Sequence, residues 1–293
     1  MNIKSSLTYR FYNIMGRLNP KWVANRRYRN TFGRNIDWNH PTEFNEKIRW
    51  MQFYTDTSKW SLLADKYQVR KYLEGKGHSD ILVKLYGVWD KAEDIDFDVL
   101  PDSFVLKTNH GYGEVVIVRD KAQIDKDSIR RRMSRFQRTP FGYNTAEVHY
   151  LKIKPVIIAE ELLNNDLPQS TSIVDYKFYC FKGEPYCCGA FYDRGKGRKV
   201  SFFDMDWVRH DEWRADRLRN VVQKDIPKPA TFDQMKSVCK ELAAEFPFVR
   251  MDFYESNGKL YFGEFTFTPA ALSGGSLSKS LLQQMSSLLE LDR

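Results

Sequence analysis

The sequence predicts an α+β fold built on mostly antiparallel sheets, and three observations predict it. Strand-like runs come in pairs joined by glycine-bearing loops, as in "FVLKTNHGYGEVVIV" and "VRMDFYESNGKLYFGEFTF". Segments of helical spacing interleave with these pairs. The chain of 293 residues is 42% hydrophobic and 15% aromatic, which suffices for a substantial core in one large or two moderate domains.

Residues 1 to 60 read as helical and mix bases with aromatics. In "HPTEFNEKIRWMQFY", Pro41 and Thr42 suit a helix start, with acids in the first turn. "LLADKYQVRKYLEGKG" reads as one helix stopped by Gly75 and Gly77. A short apolar run, "ILVKLYGVW", precedes an acidic loop. From Phe104 the period changes to that of strands, with "NHGYGE" between "FVLKT" and "VVIVRD". "KDSIRRRMSRFQR" is a basic helix, and "KPVIIAEELL" an apolar strand ending in two acids. "DYKFYCFKGEPYCCGAFYD" reads as a hairpin turning at Lys182-Gly183. A helix, "FDQMKSVCKELAAEF", leads into a second hairpin, and "SKSLLQQMSSLLELDR" is a closing helix.

The net charge of +8 argues for an acidic partner. Nucleic acid, anionic lipid, acidic glycan and nucleotide phosphates all qualify, so charge alone does not choose. Cys180, Cys187, Cys188 and Cys239 lack the spacing of a zinc site and read as buried thiols. No apolar run reaches the roughly 20 residues of a membrane span, and Lys4 precedes no uninterrupted apolar segment of a signal peptide. The expected compartment is the cytoplasm. The bases and aromatics of residues 1 to 30 suit peripheral contact with an anionic membrane surface, or else a helical layer packed on the core.

The second hairpin carries Arg250, Asp252 and Glu264 in runs that are otherwise apolar. Buried charges need partners, and two carboxylates side by side suit a divalent cation. Whether they meet depends on the turn. A two-residue Asn257-Gly258 turn pairs Ser256 with Lys259, sets Asp252 opposite Gly263 and sends Glu264 to the other face. A three-residue Ser256-Asn257-Gly258 loop sets Arg250 opposite Glu264, with Asp252 diagonal to it. Only that register, or another of the same parity, makes a cation site, so Arg250 and Glu264 on one face is the expectation; an exposed Arg250–Glu264 pair is the plainer alternative. Lys107 precedes a loop whose Gly111 and Gly113 let backbone N–H groups approach phosphate oxygens.

Taken in order, "PTEFNEKIRW", "LADKYQVRKYL", "LPDSFVLKTNHGYGEVVIV", "KPVIIAEELL", "DYKFYCFKGEP", "VRMDFYESNGKLYFGEFTFTP" and Ser273-Gly274-Gly275 resemble the ATP-grasp superfamily, in its teichuronopeptide-synthesis (TupA-like) branch. The resemblance covers residues 62 to 276. It implies an ATP-grasp fold, two α+β lobes clamping ATP, and three segments: a basic helical segment, 1–60, in place of a Rossmann-like pre-domain; a lobe with a glycine flap, 61–160; and a lobe with the metal hairpin, 161–293.

It further implies ATP and Mg2+ as cofactors. Arg70, Lys107 and Lys177 stand where the family contacts phosphate, and Gly111 and Gly113 where it has the flap. Glu160, with backbone groups of Glu161 and Leu162, would meet adenine, and Asp166 the ribose. Arg250 would assist phosphoryl transfer with Lys177, while Asp252, Glu264 and Thr266 would hold metal. Thr266 replaces the superfamily's usual asparagine. The implied reaction joins a carboxylate to an amine through an acylphosphate; the implied partners are an acidic glycan or uronic acid and an amine or amino acid, with no nucleic acid. Two other classes stay open. A metal-dependent glycosyltransferase would use a DxD motif, for which Asp204-Met205-Asp206 has the letters. A non-catalytic nucleotide- or glycan-binding module would leave the acidic pair idle.

Overall fold

The structure, a computed structural model, describes residues 3–291 apart from 112, 114, 196 and 219. Among the described residues are eight α-helices and nine strands. The chain divides into two compact units: one joins the chain up to Ala24 with Thr57–Leu163, the other joins Asn25–Asp56 with the chain from Asn164 onward. The helices of the first sixty residues are α1 (Ile3–Leu18), α2 (Pro20–Phe32) and α3 (Phe44–Tyr54), followed by the start of α4 (Ser58–Ala64). They are therefore shared between the two units.

In the first unit, α4 and α5 (Gln68–Gly75) are two helices where the sequence reads as one. The break falls at Asp65, whose Oδ1 accepts the N–H groups of Tyr67 (2.8 Å) and Gln68 (3.1 Å). A side chain that satisfies the first amides of a helix starts a new one rather than continuing the old. At the far end Gly77 has φ +81°, and the His78 N–H reaches back to the Leu73 carbonyl, so the expected glycine stop holds.

Strands β1 (Leu85–Trp89), β2 (Phe104–Thr108) and β3 (Val115–Val118), with β4 (Ile157–Glu160), form an antiparallel sheet in the order β1-β4-β2-β3. Helix α6 (Lys126–Arg138) is capped by Asp125, whose carboxylate takes the Ser128 N–H. It buries Met133 with Phe97, Phe104 and Leu106, while its many arginines stay at the surface.

The second unit holds an antiparallel sheet in the order β7-β6-β5-β8-β9. Its strands are β5 (Asp175–Phe181), β6 (Glu184–Tyr192), β7 (Lys199–Phe203), β8 (Val249–Ser256) and β9 (Lys259–Thr266). The β5–β6 hairpin turns at Lys182-Gly183 as expected, both residues with positive φ. Helices α7 (Phe232–Leu242) and α8 (Lys279–Leu288) match the predicted segments. Glu255 on β8 caps α7 by accepting from the N–H and hydroxyl of Thr231, both at 2.7 Å. Helix α3 starts at Phe44, slightly later than Pro41-Thr42 suggest, because Glu43 and Glu46 form a reciprocal capping box.

The β8–β9 turn takes the shorter of the two forms that the sequence leaves open, yet the expected shared face is kept. Ser256 pairs with Lys259, so the turn is the two-residue Asn257-Gly258, with φ +53° and +67°. Those signs are those of a type I′ turn, the commonest solution for Asn-Gly. Asp252 nevertheless faces Glu264, and Arg250 faces Thr266, because the register shifts by one residue between Asp252 and Phe253. Gly263 is the extra residue of that β-bulge. A Cβ there would lie 2.9 Å from the Asp252 carbonyl oxygen, so the close approach demands glycine.

Candidate active site

In the first unit, Lys107 and Glu160 share one sheet face, since Val105 pairs with Glu160 and Lys107 lies two residues on. The Lys107 Nζ is 2.5 Å from Glu160 Oε2, and Arg70 Nη1, from α5, is 3.5 Å from Oε1. Each carboxylate oxygen thus faces one cation. The two phosphate cations expected from sequence do come together, with Glu160 as their counterion. The Glu161 N–H is also committed, to the Lys84 carbonyl at 3.0 Å. Leu162, two residues beyond the end of β4, is partly buried.

The glycine loop follows β2. Gly111 and Gly113 both have positive φ, +82° and +76°, which bends the chain in a way other residues resist. Tyr112 and Glu114 of the loop lie outside the described residues. Its base is fixed by Asn109, whose amide accepts from the Val156 N–H (2.7 Å) and donates to the Lys154 carbonyl (3.0 Å). Lys66 Nζ donates to the Gly111 carbonyl at 2.7 Å. The buried His110 has its pKa lowered, chiefly by desolvation.

In the second unit, Asp175, Lys177, Arg250, Asp252, Glu264 and Thr266 lie on one face of three adjacent strands, β5-β8-β9. Arg250 clasps Asp252 bidentately, Nε to Oδ1 and Nη2 to Oδ2, both at 2.6 Å. Its Nη2 also reaches Thr266 Oγ1 at 2.9 Å and Glu264 Oε1 at 3.3 Å. The Thr266 hydroxyl donates to Glu264 Oε1 at 3.1 Å. Lys177 bridges Asp252 and Asp175, with Nζ 2.7 Å from Asp175 Oδ2. Burial pushes the Asp252 carboxyl up, against the pull of Arg250 and then Lys177. Burial opposes the Arg250 charge too, but Asp252, with Tyr179 and Glu264 behind it, outweighs that, so its pKa rises.

The donor set suits magnesium: a hard ion takes one or two carboxylates and fills its remaining positions with phosphate and water. Asp252 and Glu264 could supply the carboxylates, and Thr266 a neutral oxygen. Among the described residues no group of three or more His, Cys, Asp or Glu side chains could hold a metal by itself.

Two residues beside this cluster are not singled out by the sequence reasoning. Asp175 does carry a local signal, because it lies two residues before Lys177 and so shares its face. Arg194, from the loop after β6, reaches Asp175 Oδ2 at 3.4 Å. No local pattern marks it. Asp166 does not join the cluster: its carboxylate accepts the Asn257 N–H and so caps the β8–β9 turn. Asp204 of the DxD-like stretch is likewise turned to local use, accepting from the N–H groups of Asp206 (3.0 Å) and Val208 (2.8 Å) and meeting His210. All four cysteines are buried and unpaired with one another, as expected. Among the described residues no helix is long and apolar enough to cross a membrane.

The sequence model of the TupA-like ATP-grasp family matches residues 46–281. No curated protein sequence matches the chain. Among solved structures, D-alanine–D-alanine ligase from Bacillus anthracis, complexed with ATP, is similar at 17% identity and TM-score 0.44 over 78% of this chain and 62% of that one. The Helicobacter pylori D-alanine–D-alanine ligase is similar at 15% identity and TM-score 0.47, over 85% and 70%. A D-cycloserine synthetase is similar at 10% identity and TM-score 0.46, over 84% and 76%. The chain thus spans less than two thirds of the length of the Bacillus anthracis ligase.

Proposed function

This chain belongs to the TupA-like ATP-grasp family, whose enzymes use ATP and Mg2+, and on that premise we propose that it is an ATP-dependent carboxylate–amine ligase. Its product is an amide formed through an acylphosphate, with an acidic surface polysaccharide or its precursor supplying the carboxylate and an amino acid the amine. The observation that carries this reading is the single sheet face bearing Arg250, Lys177, Asp252 and Glu264. Nothing in a purely structural core calls for four charged groups at that density, given the desolvation each one bears.

The chemistry follows from charge. A carboxylate attacking the γ-phosphorus approaches an anion, and in the transition state charge spreads over the phosphoryl oxygens. Arg70 and Lys107 bind phosphate oxygens, the arginine as a fork and the lysine as a point charge. Both are already held by Glu160, so they meet the nucleotide with little reorganisation. Lys177 and Arg250 offset the developing charge, and Asp252 and Glu264 would hold magnesium, which when bound screens the phosphates. Backbone groups at Gly111 and Gly113 cover the phosphates and exclude water from the acylphosphate. The basic balance of the chain supports an acidic glycan as co-substrate, and the need for ATP supports a cytoplasmic site of action.

Incubation with ATP, magnesium and panels of uronic acids and amino acids tests the reading. One ADP and one phosphate are expected per amide, and hydroxylamine should yield a hydroxamate when the amine is withheld. Release of AMP and pyrophosphate would mean adenylation instead. Release of a nucleoside diphosphate from a nucleotide-sugar, with no need for ATP, would mean glycosyl transfer.

A further inference from the structure

Residues 1–36 contain eight of the chain's 46 lysines and arginines and no acid, whereas the other 38 bases are matched by all 38 acids. The whole net charge therefore resides in α1, α2 and the turn after them. On α1, Leu7, Phe11, Ile14 and Leu18 follow the i, i+4, i+7, i+11 spacing of a single helix face. All four are exposed, at 62%, 50%, 58% and 75%. The opposite face is the seated one: Asn13 and Gly16 are buried, and a Cβ on Gly16 would lie 2.1 Å from the Tyr143 carbonyl oxygen. Trp22, at the start of α2, extends the apolar stripe by packing edge-on to Phe11 with ring centroids 5.9 Å apart, while remaining 37% exposed. Arg26 and Arg29 share the Trp22 face of α2 and are exposed, as are Arg10 and Arg17 on the flank of the α1 stripe.

We propose that this face of α1 and α2 is a docking surface for an anionic lipid bilayer. The stripe from Leu7 to Leu18 runs about 16 Å, and a row of aliphatic and aromatic side chains with bases at its margins is the pattern of a helix lying in a membrane interface. The chemistry selects this partner over others. An acidic glycan or a nucleic acid satisfies the arginines but offers no apolar interior to Leu7, Ile14 and Leu18. A neutral apolar groove on a protein would take the stripe but leave the absence of any acid over 36 residues without cause. The contact lies on the membrane and does not span it, since among the described residues no helix is long and apolar enough to cross. The inference does not depend on the ligase reading.

Flotation of the full chain with vesicles of phosphatidylcholine alone, and of phosphatidylcholine with phosphatidylglycerol, tests it. Binding to the anionic vesicles only, weakened by salt, is expected. Phe11→Ser with Leu18→Ser should abolish flotation, and Arg26→Gln and Arg29→Gln should each lower partitioning roughly fivefold. All four positions are exposed, so thermal unfolding should not change, and unaltered melting separates lost contact from lost fold. Equal flotation with both vesicle types, or none with either, overturns the proposal. So does full binding by the Phe11→Ser, Leu18→Ser variant. A wild-type dimer that this variant converts to a monomer in sedimentation would reassign the face to a second copy of the chain.

Discussion

Asp252 and Glu264 stand opposite each other on β8 and β9 because Gly263 is left over between them and Phe262 pairs with Phe253. An Asn-Gly turn of two residues sets one parity for the hairpin, and the bulge reverses it halfway along. The turn end of the hairpin thus packs with its own register, while the far end brings both carboxylates to the face that carries Arg250 and Lys177. Bulges commonly re-aim side chains beside functional sites.

Gly263→Ala should destabilise the protein by about 1–3 kcal/mol, the usual effect of overpacking. The obstacle is a backbone carbonyl 2.9 Å away, which cannot swing aside as a side chain would. Urea unfolding gives the stability change, and ADP release should fall with it as the carboxylates separate. A variant as stable and active as the wild type would show that the bulge is dispensable.

Glu264→Gln and Asp252→Asn should both abolish ADP release but differ in stability. Glu264 is partly exposed, and its amide counterpart keeps the volume and the Thr266 bond. Asp252 is buried beneath Arg250 and Lys177, and neutralising it leaves two cations with less compensation. Breaking a buried pair in this way is worth about 3–5 kcal/mol. Thermal melts should therefore show a marked drop for Asp252→Asn and little for Glu264→Gln.

Lys107→Met should preserve the fold, because the stem still packs and Glu160 retains Arg70. ATP binding should weaken about ten- to a hundredfold, corresponding to the roughly 1.5–3 kcal/mol of one charge-assisted contact. Calorimetric titration of ATP checks this, and unchanged affinity would remove Lys107 from the site.

Magnesium alone should not raise the melting temperature, whereas magnesium with ATP should. Two carboxylates already engaged by Arg250 and Lys177 make a weak site until phosphate oxygens complete the coordination. A full shift with the metal alone would contradict this.

Acid stability should depend on Asp193. Lys224, followed by the Thr171 N–H, holds its carboxyl down to about 2, from an ordinary value of 3.8. A carboxyl lowered in the folded state adds stability above its unfolded pKa and loses it as pH falls through the folded one. The contribution, about 2 kcal/mol at most, is present above about pH 4 and is lost between about pH 4 and 2. Denaturant midpoints measured across that window should fall less steeply for Asp193→Asn than for the wild type.

Much of this architecture is local and legible in the amino-acid sequence by itself. Alternation alone places Arg250 with Asp252, and Lys177 with Asp175, because successive side chains on a strand must face opposite ways. Turn chemistry is local too: Lys182-Gly183 and Asn257-Gly258 both close two-residue hairpins. The lone Gly263 inside a strand is a bulge signal in plain view, yet its effect on parity emerges only when two strands lie side by side. The tertiary structure alone decided which charges meet. Glu160 became the counterion of Lys107 because β4 lies between β1 and β2, an order that no single run of residues encodes. Asp252 met Lys177 across 75 residues because β5 and β8 are neighbours, and Asp166 was drawn to the Asn257 amide rather than to the charged face. Covalent geometry sets period and turn within a few residues, whereas ion pairs depend on distances in space, which only the packed order of the strands can set.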